Sequence, residues 1–78
     1  MADKLVQDCI SAVRDGVDFP TIWQSILRRD ALVMGPPLQA SEDGRICLKI
    51  PLSSRQWLVF DSASKQFSLT ARGSLYGL

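Results

Sequence analysis

Few residues in this chain could carry covalent chemistry. It has no histidine, two cysteines (Cys9 and Cys47) and scattered carboxylates. Without histidine it lacks the commonest general base and the commonest metal ligand. A thiol nucleophile needs a base beside it, and the spacing supplies none for Cys9 or Cys47. Glu42 and Asp43 are adjacent, but they sit before Gly44 in a turn, where acidic residues satisfy backbone amides rather than line a cleft. The two cysteines lack the paired spacing of a metal site, and no glycine-rich phosphate loop occurs. The residues therefore predict no enzyme, no cofactor and no metal, and no small-molecule substrate is evident.

Binding chemistry is the remaining option. Nine Lys and Arg against eight Asp and Glu leave a net charge of +1, too even for a protein held mainly by phosphates. Local cations do group, however. Gln24, Arg28 and Arg29 fall on or near the polar side of the second predicted helix, and Arg45 and Arg55 at hairpin ends. Two helices followed by hairpins resemble winged-helix proteins in architecture. That resemblance implies Gln24 and Arg28 at base edges and the hairpin arginines on phosphates. The interspersed Asp15, Asp18, Asp30, Glu42, Asp43 and Asp61 weaken such a field. Nucleic-acid binding is thus the alternative function.

The elements that place these residues follow from periodicity. Apolar positions 5, 6, 9, 10 and 13 form one helical stripe, with Asp3 able to cap its start and Gly16 suited to the left-handed position past its end. A helix is expected over 4–15. Asp18 caps a second, over 19–29, with Pro20 in its first turn and Phe19, Ile22, Trp23, Ile26 and Leu27 on one side. Residues 31–34 read as a helix extension or as an extended segment. Gly35-Pro36-Pro37 stops whatever precedes it. Strands are expected at about 38–41, 46–52, 55–61 and 66–71, with a tail at 73–78. The fold class is α+β: two N-terminal helices packed on one face of a four-stranded antiparallel meander, one domain over 1–78.

Turn lengths fix which side of each strand is buried. A three-residue loop at 42–44, a two-residue turn at Ser53-Ser54 and an odd loop at 62–64 put Leu38, Ala40, Ile46, Leu48, Ile50, Trp57, Val59, Phe67 and Leu69 beneath the helices. Cys47, Leu58 and Phe60 are then left on the far face. They would be covered by Leu75, Tyr76 and Leu78 of the tail or by a partner, or remain as scattered surface residues. The expected function is a non-enzymatic interaction module, acting through homodimerisation or a protein partner at Cys47, Leu58, Phe60, Tyr76 and Leu78. No secretory leader or membrane span is visible, and two isolated cysteines suit a reducing compartment, so the expected location is the cytoplasm, with no membrane partner.

Overall fold

The computed structural model describes residues 2–71. Helix α1 spans Ala2–Arg14 and buries Leu5, Val6 and Cys9, the expected stripe. Its end is a Schellman cap: the Val17 amide donates to the Ala12 carbonyl and the Gly16 amide to the Val13 carbonyl, both at 2.9 Å. Gly16 takes the left-handed φ of 85° that this closure requires.

Helix α2 is shorter than its pattern suggested. It covers Phe19–Ser25, and a separate 3-10 turn covers Leu27–Arg29, with Ile26 between them at φ −119°. Asp18 caps α2, its carboxylate accepting from the Thr21 amide at 3.1 Å. The Ser25 hydroxyl donates back to the Thr21 carbonyl at 2.7 Å, a bond that tends to bend a helix. The break still leaves Ile22 and Leu27 facing the core together.

Four strands follow as an antiparallel meander in the order β1-β2-β3-β4: Leu38–Glu42, Arg45–Leu52, Gln56–Asp61 and Gln66–Ala71. The helices pack on one face, so the α+β architecture is as the sequence predicts. The core joins Leu5, Val6, Cys9, Ile22 and Leu27 to Ile50, Leu52, Leu58, Phe60 and Phe67 of the sheet.

The registers differ from expectation at every turn. The β1–β2 loop is two residues, Asp43-Gly44, at φ 52° and 76°, with Glu42 paired to Arg45. Those two positive angles are the signature of a type I′ hairpin. The β2–β3 loop is three residues, because Leu52 pairs with Gln56 and Arg55 takes φ 63°. The β3–β4 loop is four residues, with Asp61 paired to Gln66 and Lys65 at φ 57°. Each loop therefore differs by one residue from its expected length, and each difference reverses a strand. β1 and β3 present the opposite sides to those expected, while β2 and β4 keep theirs, the last error undoing the one before.

The consequence is a correction to the expected patch. Leu58 is fully buried and Phe60 is 6 % exposed beneath the helices, whereas Trp57 and Val59 belong to the far face with Cys47. Leu38, expected in the core, is 53 % exposed. Phe60 is held in an aromatic trio, 5.0 Å from the Phe19 ring and 4.8 Å from that of Phe67. Such ring pairs add about 0.5–1.5 kcal/mol beyond burial.

Residues 32–34 settle as an extended segment. Val33 bridges Leu52, the Met34 amide donates to the Pro51 carbonyl, and the Ser53 amide donates to the Leu32 carbonyl, the last two at 2.8 Å. This segment and β1 together line one side of β2. Between Val33 and Leu38 the outer chain carries two more residues than the stretch of β2 it faces, Leu52 to Lys49. Gly35-Pro36-Pro37 absorbs them as an outward bulge. Pro51, an unusual residue for an internal strand, is thereby accommodated. Its nitrogen points the same way as its carbonyl, toward the bulge, so no ladder bond to β3 is lost.

Candidate interaction groove

Cys9 is completely buried. Burial pushes its thiol up to about 12, and the nearby charges of Asp8 and Asp30 add to the shift. It stays protonated and unreactive at neutral pH. Cys47 is also a buried free thiol, but on the other side of the sheet. Glu42 accepts from the Lys49 ammonium at 3.1 Å. Asp61 accepts from the Ala63 amide at 2.9 Å and from Arg45 at 3.1 Å. Those bonds, led by the Ala63 amide, hold its carboxyl below the usual range. Hydrogen bonds from Thr21 do the same for Asp18. Among the described residues no cluster of three metal-ligating side chains exists.

The expected nucleic-acid residues do not assemble into one surface. Arg28 donates to the Gln24 side-chain oxygen at 2.7 Å, so each occupies the other. Arg28 and Arg29 lie in the 3-10 turn rather than on a continuous recognition helix. Arg45 is paired with Asp61 at the start of β2, and Arg55 lies past its far end, roughly 20 Å or more away at strand rise.

The expected partner patch is divided. Leu58 and Phe60 belong to the helix-covered core, Cys47 to the opposite face, and Tyr76 and Leu78 lie outside the described residues. On that opposite face Cys47 and Val59 are only 6 % and 9 % exposed. Lys49 stands opposite Val59 with its ammonium drawn to Glu42, so its methylene stem spans the same face.

A different feature brings chemistry together: the junction between the end of α1 and the start of β4. A hollow of about 410 Å³ opens there, walled by Ile10, Val13 and Arg14 of the helix and by Lys65, Gln66 and Phe67 of the turn and strand. A second hollow, about 210 Å³, continues from it past Val17 and Phe19 to Phe60, sharing Val13 and Lys65. The floor is apolar, and the aromatic trio lies under it. Gln66 and Phe67, the first two residues of β4, point to opposite faces of the sheet, so the hollow reaches the strand's border rather than one face alone.

β4 pairs only with β3 among the described residues. Its six residues, Gln66–Ala71, contain no charge and no proline, the usual devices that keep a sheet edge from pairing. Arg14 and Lys65 are exposed cations on opposite walls, and neither has an ion pair among the described residues. Sequence reasoning missed this groove because it arises where α1 crosses the strand, and periodicity gives no crossing point. The uncharged run of β4 was its one visible signal.

Comparison with models of protein families, with curated proteins and with solved structures gives no match.

Proposed function

We propose that this chain is a non-enzymatic interaction module that takes a protein partner along the open border of β4 and the groove beside it. One observation carries the reading: a six-residue uncharged strand edge, with no strand beyond it among the described residues, lies next to an apolar hollow. Edge and groove together are the ingredients of strand addition, in which backbone bonds supply affinity and the hollow supplies selectivity. The chemistry of the thiols and carboxylates supports binding over catalysis. Cys9 is held protonated, and Asp18 and Asp61 are engaged with backbone amides. Two thiols on opposite sides of the sheet support a reducing compartment, the cytoplasm. Among the described residues no helix is long and apolar enough to cross a membrane.

The test is a selection of extended peptides from a random library, followed by mapping of the bound site through backbone amide shifts. The expected result is perturbation concentrated at Gln66–Ala71 and Ile10–Arg14, abolished by Val13→Glu in a chain that still melts cooperatively. Sedimentation at two concentrations adds the self-partner arm: association that perturbs the same amides makes the partner a second copy. Perturbation confined to Gln24, Arg28 and Arg29 by duplex DNA, with no peptide selected, would overturn the proposal in favour of nucleic acid.

A further inference from the structure

The groove carries charge as well as shape. Resting on the strand-addition reading above, we infer that its occupant is an extended acidic peptide, whose carboxylate docks between Arg14 and Lys65 and whose neighbouring apolar side chain enters the hollow over Phe67.

The two cations stand on opposite walls of the same hollow, one on the last residue of α1 and one in the turn before β4. The three ion pairs among the described residues use Lys4, Arg45 and Lys49 and leave Arg14 and Lys65 uncommitted. Arg14 also offsets the negative end of the α1 dipole, a role that does not consume its guanidinium. Of the acidic groups at this end, Asp18 has its carboxylate turned to the Thr21 amide, and Asp15, the exposed residue after Arg14, is not part of the wall of either hollow. The rim therefore presents two available positive groups over an apolar floor. A volume of about 410 Å³ falls in the roughly 300–1,000 Å³ range of sites that hold a defined ligand. Being open on the strand side, it suits side chains presented from a neighbouring strand.

Direction follows from register. Antiparallel addition is the more stable per residue. A strand laid antiparallel on β4 ends near Lys65, so the acidic residue belongs at the C-terminal end of the pairing segment. Arginine on one wall can take such a carboxylate through two parallel bonds, and lysine on the other as a point charge.

The experiment uses fluorescein-labelled hexapeptides that alternate valine and threonine and end in glutamate, with glutamine and lysine counterparts amidated at the C-terminus. Anisotropy is read at 50 and 200 mM salt on the whole chain and on Arg14→Gln plus Lys65→Gln. Both positions are exposed, and a thermal melt confirms that the double variant folds. The glutamate peptide should bind about 3- to 30-fold tighter than the glutamine peptide, as expected for two rim ion pairs. The preference should shrink at higher salt and fall to about 1-fold in the double variant. Equal binding of the two peptides, or a preference that survives in the double variant, overturns the acidic occupant and leaves strand addition standing. Failure of all three peptides together with an empty library selection sinks both. Decanoate binding with the same dependence on Arg14 and Lys65, in the absence of peptide binding, replaces the peptide with a small fatty carboxylate and overturns the inference.

Discussion

Leu58→Ala tests the sheet register directly. Leu58 is completely buried between Ile50 and Leu69 across the sheet and beneath the helices. Truncation removes three carbons, worth about 2.4 kcal/mol at roughly 0.8 kcal/mol per buried methylene. The cavity left behind raises the total to about 3–5 kcal/mol. A chain of 78 residues has about 4–12 kcal/mol of stability at the usual 0.05–0.15 kcal/mol per residue. The variant thus loses between a quarter and the whole of its margin. Urea unfolding followed by tryptophan fluorescence reads the change as a shift in midpoint at constant slope. If the variant is unfolded without urea, the milder Ile50→Val, also at a completely buried position, should cost about 0.5–1.5 kcal/mol. The control is Leu38→Ala. Leu38 is 53 % exposed, and its truncation should change stability by no more than about 0.5 kcal/mol. The two leucines exchange roles if β1 and β3 present the faces that turn-length reasoning from sequence assigned. A large loss at Leu38 with a small one at Leu58 would refute the register and the core built on it.

Arg55→Gly and Lys65→Gly relieve left-handed backbone at φ 63° and 57°, and each should raise stability by a few tenths to about 1 kcal/mol in thermal melts. Gly16→Ala forces a β-carbon into φ 85° and should lower stability by about 1–2 kcal/mol, although no atom obstructs the new methyl. Cys9 has its thiol raised from 9.0 to about 12 in the fold, so its contribution is complete below pH 9 and lost as pH climbs toward 12. The slope is at most about 1.4 kcal/mol per pH unit, and Cys9→Ala should flatten it in pH-dependent urea melts. Asp18 and Asp61 have lowered values, so their contribution is present above the usual 3.8 and disappears as pH falls below it. Asp18→Asn and Asp61→Asn should weaken that acid dependence.

The element order, the helix stripes and the caps at Gly16 and Asp18 were legible because each depends on neighbours a few residues apart, whereas Asp3, expected to cap the first helix, lies within the first turn of α1. Asp18, Gly16 and the β2 alternation of Leu48, Ile50 and Leu52 behave as their local patterns say, whereas Ile46, expected beneath the helices, is 47 % exposed near the start of β2. The faces of β1 and β3 were not legible, because a single residue of loop length decides each. Asp43-Gly44 is a recognisable two-residue turn, and counting Glu42 into the loop turned β1 over. Arg55 and Lys65 gave no such warning. Neither is a residue type that advertises left-handed backbone, yet each closes a loop in that conformation. Leu58 and Phe60 were therefore assigned to the wrong surface even though their hydrophobicity was read correctly. The groove at Arg14 and Lys65 was beyond reach for another reason. Its walls are 51 positions apart in sequence and meet only through the docking of α1 against β4.

The two extra residues at Gly35-Pro36-Pro37 have a consequence for assembly. A meander has two outer borders, and copies that join one border to the other can stack without limit into a fibre. Here the β1 border is crimped by two prolines, so a long flat mating surface is missing on that side. The β4 border remains smooth. On the strand-addition reading, growth by unlike borders would stall at the β1 side, and the crimp would limit association to the β4 side.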